Sequence, residues 1–407
     1  MIKNFNILRL TPFLLFAFLS TGLLAQNDTE ILLKSRALIS AGKTSDAINL
    51  LTRELELKGS VRLFTERADA YISSGNLSAA ISDFNEANKM AAHSGDYGLA
   101  RAYALKGDIS TSLYHLSSHL GSEYKRSEKE VLLEPAFSRF ENRPEWRQFW
   151  KKEWYSFSEN AVAEVEFLTA SGKTDDARST VSELKSRAPG SPELTYAEAL
   201  VALASKKFGD AASLATKLSA DNPGNQKYLR LLAQVQTGLS NFAGASVTYS
   251  KIIDAGEPDA RLLILRAECY RKTMETGKAL KDLGKFLEMY PEDKQALRLA
   301  GKVEAESGDN LKAIEYFTKN LKLHPDDQEC YIDRANSYLA AKSWDWAVKD
   351  YSMSLDLRPE NPDAWLNKGL ALLGSGKLAD ACHDFRMAYS LGNQKATPYI
   401  SKHCLNK

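Results

Sequence analysis

The sequence is poor in the residues and patterns that mark specialised protein classes. Only four of 407 residues are Cys and only 12 are Pro, which excludes a disulfide-held mini-scaffold, a collagen-like chain and a proline-rich disordered one. A surplus of one charge is also missing, since 53 Lys and Arg face 52 Asp and Glu. A net charge of +1 gives no global field for nucleic acid or an anionic membrane, so recognition by charge must come from a local patch. After residue 25 no apolar run approaches the roughly 20 residues that span a bilayer as a helix. A Gly-x-Ser-x-Gly elbow, a dinucleotide Gly fingerprint and a Cys-x-x-Cys pair are all absent, and no carboxylate pair stands out as acid and base. The expectation is therefore no catalytic residue, no metal site and no cofactor.

What is present begins with an export signal over 1–25. Lys3 and Arg9 form a basic start, Phe13 to Leu24 is a short apolar core, and Ala25 precedes Gln26 at the expected cleavage point. About a dozen apolar residues are too few to cross a hydrocarbon core of roughly 30 Å. No Cys follows to carry a lipid anchor, and the processed chain would carry a charge of −1. The expected location is the periplasm or the outside of the cell.

The rest of the chain repeats. A turn position recurs every 34 residues at Gly172, Lys206, Ser240, Met274, Gly308, Lys342 and Gly376. Seven residues before it stand Val165, Ala199, Ala233, Ala267, Gly301, Ala335 and Gly369; five after it stand Ala177, Ala211, Ala245, Ala279, Ala313, Ala347 and Ala381. Helices cross closely only over small side chains, so these columns predict the contact between helix A and helix B of each unit. Pro189, Pro223, Pro291, Pro325 and Pro359 then close helix B. Three earlier units turn at Gly42, Gly75 and Gly107, the third carrying Ser112 where Ala is expected and His119 near the helix contact.

A helical hairpin of 34 residues with these columns resembles the tetratricopeptide repeat (TPR) family, in the form seen in exported bacterial members. The resemblance implies an all-α superhelical solenoid of about ten repeats in two arrays, over 26–121 and 158–391, with a capping helix over 392–407.

Between the arrays, residues 122–157 leave the pattern and gather Trp146, Trp150 and Trp154 at i, i+4 and i+8. An exposed aromatic binding stripe is one reading. A helix packing the two arrays together is the expected one, because large exposed apolar patches are uncommon on soluble proteins. Gly42-Lys43-Thr44 and Gly172-Lys173-Thr174 end like a phosphate-binding loop, yet Ala37 and Phe167 occupy the place of its first Gly and both triplets fall on the repeat's own turn. His115 and His119 have a spacing that could share a metal, but Leu116 stands where a zinc hydrolase would place Glu, so packing is expected.

In the TPR fold helix A lines a concave groove, and the resemblance places Arg230, Arg261, Arg271, Lys272, Arg298 and Lys302 on it, with Glu268 and Glu306 among them. Val162, Leu200, Leu203, Leu366, Leu370 and Leu373 would make its ends apolar. Asn336 and Asn367 match two positions of the carboxylate clamp that TPR proteins use on peptide ends, while Ile332 replaces its basic residue. The expected role is a non-catalytic scaffold or adaptor for an extended, acidic segment of a partner protein, without nucleic acid. The alternative is an envelope substrate-binding protein for a glycan or other nutrient. Cys382 and Cys404 each lie 11 residues from Asn393, at equal height in an antiparallel hairpin, and are expected to form a disulfide that staples the cap; a reduced, buried Cys382 is the alternative. Cys269 and Cys330 are expected to stay unpaired.

Overall fold

The computed structural model describes residues 28–404. All regular structure in this span is helical, and it falls into ten A/B helix pairs. The export signal expected over 1–25 lies outside the described residues.

Each pair is made by the same local chemistry. The turn residue is left-handed in all ten repeats, with φ between 57° at Ser240 and Lys342 and 94° at Gly308. The residue after it then donates its N–H back six positions, as from Lys43 to Leu38 O (2.8 Å), Asn241 to Gln236 O (2.8 Å) and Lys377 to Leu372 O (2.9 Å). This is the Schellman closure of helix A. Helix B often begins on a capping side chain, with Asn76, Asp108, Asn241 and Asp309 each accepting from a backbone N–H in the first turn. It ends two residues before the predicted prolines, at Arg187, Asp221, Met289, Leu323 and Leu357.

Both small-residue columns are buried, and the Ala column of helix B is fully so from Ala177 to Ala381. The space they leave is filled by an aromatic residue nine positions after the turn, such as Phe317, Tyr351 or Phe385. At Gly301 a Cβ would lie 2.4 Å from the Phe317 ring, so helix A can approach helix B there only without a side chain. The departure at Ser112 is absorbed by a hydrogen bond, its Oγ donating to Ala100 O at 2.8 Å.

The described chain divides into two compact units, up to Asp259 and from Ala260. The first holds six repeats and the non-repeat segment. In that segment the helix Pro144–Phe149 stops before Trp150. The three Trp are therefore not one helical stripe. Only Trp146 sits on the helix, 6% exposed, against Phe137 and Phe140 of the 3-10 turn Pro135–Phe140. The chain then bends so that Trp154 stacks on Phe149 with centroids 4.7 Å apart, and its indole N–H donates to Phe149 O at 3.0 Å. The cluster seats the segment on the third repeat, beside Tyr97, Leu116 and Leu120.

The first unit also meets itself end to end. Arg36 donates to Pro258 O at 2.7 Å, Arg62 and Thr29 both donate to Gly256 O, and Glu66 braces Arg36 through 2.8 Å and 3.0 Å contacts. The first two repeats thus touch the loop that follows the sixth.

The second unit holds repeats seven to ten and the cap, a 3-10 turn Gln394–Ala396 followed by the helix Thr397–His403. Cys382 and Cys404 are joined by a disulfide with Cα atoms 5.6 Å apart, and Tyr399 stacks on Phe385 beside it. Cys269 and Cys330 are buried thiols.

Candidate functional site

In the second unit the inner faces of the A helices carry two neighbouring hollows. One, of about 350 Å³, lies between Arg261–Lys272 and Lys294–Ser307 and is lined by Glu268, Arg298 and Lys302 among others. The other, of about 260 Å³, is lined by Lys302, Glu306, Asp333 and Asn336. Lys302 belongs to both, so they run on from one another along three repeats.

The charges here are balanced rather than basic. Arg271, only 10% exposed, is held between Glu268 at 2.6 Å and Glu306. Arg298 reaches Asp333 at 2.6 Å and Glu329 at 3.4 Å. Both guanidinium groups are raised in pKa: at Arg271 the Glu268 hydrogen bond leads, and at Arg298 the Asp333 pairing overcomes the opposing cost of burial. The positive field expected from sequence is thus largely consumed inside the protein, because helices A of successive repeats set acidic residues opposite the basic ones. Arg261 and Lys272 lie at exposed positions on the seventh A helix. Lys302 differs from Arg271 and Arg298: no ion pair holds it among the described residues.

The structure does bring Asn336 and Asn367 together. Asn336 Oδ1 accepts from Asn367 Nδ2 at 3.4 Å and from the Tyr351 hydroxyl at 2.5 Å. Asn336 is exposed, and its amide nitrogen makes no hydrogen bond within the described residues. Arg230 sits apart from this group, in the first unit, paired with Asp259 at 3.1 Å and Glu257 at 3.6 Å. The residues expected to make the groove ends apolar contribute to the cores instead: Val162 and Leu366 are buried, and Leu200, Leu203, Leu370 and Leu373 pack against them.

His115 and His119 do not converge. His115 Nδ1 faces the buried Asp96 carboxylate at 2.9 Å, while His119 Nε2 accepts the Arg126 N–H at 3.1 Å. Burial first, and the nearby Arg126 second, push the His119 imidazole down to about 4.

A third hollow, in the first unit, went unnoticed in the sequence. It is floored by Tyr155, Tyr196 and Tyr228. The available signal was positional, since Tyr196 and Tyr228 both fall in the first turns of successive A helices.

Tetratricopeptide repeat family profiles match residues 61–94, 270–327 and 332–396. With ten hairpins in the same register, the chain belongs to the tetratricopeptide repeat family. No curated protein matches it. Similar solved structures include a tetratricopeptide repeat protein from Parabacteroides merdae, 18% identical with TM-score 0.48, covering 61% of this chain and 99% of that one. The C-terminal part of a TPR repeat-containing protein from Cytophaga hutchinsonii is 14% identical with TM-score 0.48, covering 58% and 98%. The APC/C hetero-tetramer Cut9-Hcn1 is 12% identical with TM-score 0.47, covering 91% and 89%.

Proposed function

We propose that the chain is an exported, non-catalytic scaffold that holds an extended segment of a partner protein along the A helices of repeats seven to ten. The observation that carries the reading is the pair of hollows sharing Lys302, which offers a channel about three repeats long instead of a single closed pocket. Lys302, with no internal ion pair, receives a carboxylate of the segment, and the free Asn336 amide donates to its backbone. This narrows the acidic character of the partner to one well-placed carboxylate, because Arg271 and Arg298 are already engaged. A preformed surface keeps the ordering cost on the protein side small. The disulfide in the cap supports an oxidising compartment, and with it export.

Crosslinking pull-down from the native envelope fraction, read by mass spectrometry, tests the reading with wild type beside Lys302→Ala and Asn336→Ala. Partner capture falling about tenfold in either variant, at unchanged helicity, is expected. Equal capture by all three places binding elsewhere. Intact mass of the natively expressed protein tests export, and a chain that keeps Met1 to Leu24 counts against it.

A further inference from the structure

The tyrosine-floored hollow of the first unit has an electrostatic character opposite to that of Lys302. It lies where residues 125–128 meet the A helices Phe157–Ala170, Pro192–Ala204 and Gln226–Gly238. Its volume of about 270 Å³ falls below the roughly 300–1,000 Å³ of small-molecule sites, and suits one long side chain entering from a bound strand.

The walls are fixed before anything binds. The Tyr196 hydroxyl donates to Glu166 Oε1 at 3.0 Å, and the same oxygen receives Lys227 Nζ at 2.8 Å. Lys227 thereby lies over the Tyr196 ring, 4.5 Å from its centroid, and Tyr228 stands 5.6 Å from Tyr196. On the other side the Tyr155 hydroxyl donates to Arg126 O at 2.8 Å, while Lys125 pairs with Glu159 at 2.8 Å and covers the Tyr155 ring. Both lysines are therefore spoken for. Two lining carboxylates, Glu128 and Glu193, have no ion pair or hydrogen bond among the described residues. Their charge is felt by the floor: after burial, Glu128 is the leading cause that raises the Tyr155 phenol, and Glu193 acts in the same way on Tyr228.

We infer that this hollow receives a lysine or arginine side chain of an extended polypeptide, its stem against Tyr155, Tyr196 and Tyr228 and its charge answered by Glu128 and Glu193. The inference rests on the scaffold reading and adds a second subsite of opposite preference in the other unit. Aromatic faces and an uncompensated carboxylate are the combination that favours a cation over a neutral or anionic group.

The test is a phage-displayed random-peptide selection on the purified full chain, with affinities of the selected peptides measured on wild type, on E128Q/E193Q and on Lys302→Ala. Lying outside the core, the two Glu→Gln changes should leave the thermal midpoint unchanged. Expected is a class of peptides with Lys or Arg fixed at one position, weakened about tenfold by E128Q/E193Q and indifferent to Lys302→Ala. Selection without a fixed basic position, equal affinity for E128Q/E193Q, or no binders at all overturns the inference. Peptides lost only in Lys302→Ala would overturn it too, while upholding the proposed function.

Discussion

Four of the ten turns place a side chain in left-handed backbone, at Lys206, Ser240, Met274 and Lys342. Such a residue is strained by about 1–2 kcal/mol, while Gly there costs about 0.4–1 kcal/mol in unfolded-chain entropy. Replacing Lys342 by Gly should therefore stabilise by about 0.5 kcal/mol, and Gly308→Val should destabilise by about 1–2 kcal/mol, both read from chemical denaturation. A second residue-level device is the ion pair that links helix A to helix B sixteen positions on: Arg67 to Asp83, Arg266 to Asp282 and Arg334 to Asp350, at 2.6–2.7 Å. Each pairs residues eight before and eight after the turn. Asp350 is 2% exposed, so Asp350→Ala strands a largely buried guanidinium and should cost about 3–5 kcal/mol. Replacing both partners by well-packed apolar residues should recover most of that loss. His119 gives a pH dependence. Its folded pKa lies below the unfolded value, so its contribution is whole above about pH 6.5 and drains away as pH falls toward about 4, by on the order of 3 kcal/mol. Thermal midpoints measured across that window should decline, and His119→Gln should flatten the decline. The Asp96 carboxyl is held below its ordinary range despite burial, by hydrogen bonds from His93 and His115, so its contribution is lost only at lower pH.

At the scale of elements, the helices were legible because the turn demands a backbone that Gly adopts freely and the helix crossing demands a small side chain. Both requirements recur at fixed spacing, so they add up along the sequence. The Arg–Asp pairs were less visible, since the pattern occupies a minority of repeats and Lys368 with Asp384 is its only other instance among the described residues. The aromatic segment misled for a physical reason. A spacing of i, i+4, i+8 fits a helix, yet Pro144–Phe149 is short, and rings as large as Trp154 and Phe149 can stack through a bend as well as along a helix. The groove's charge was misjudged because a sequence position tells which face a residue occupies and not what stands opposite it: Asp333 and Glu306 are a repeat away from the cations that they neutralise. The cap offers a test at this scale. Closing its loop should stabilise it by roughly 3 kcal/mol. Cys382→Ser with Cys404→Ser should therefore speed hydrogen exchange in Thr397–His403 while leaving the third repeat untouched.

At the scale of the whole molecule, a stack of repeats is held by neighbours touching neighbours, and its stability is close to a sum of local terms. The closure of the first unit onto Gly256 and Pro258 departs from that scheme. No sequence column could announce it, because the acceptors are main-chain carbonyls, which every residue offers. Hydrogen bonds from charged donors contribute about 1.5–3 kcal/mol each. Removing both donors, with Arg36→Ala and Arg62→Ala, should raise hydrogen exchange across residues 28–40 and leave Gln328–Ala340 unchanged.

That closure also sets an order in time. During synthesis at roughly 5–20 residues per second, the first repeat waits some tens of seconds for the loop that will complete it. Until then Arg36 and Arg62 lack these carbonyl partners, and the earliest part of the protein to be made is the last of its unit to reach final form.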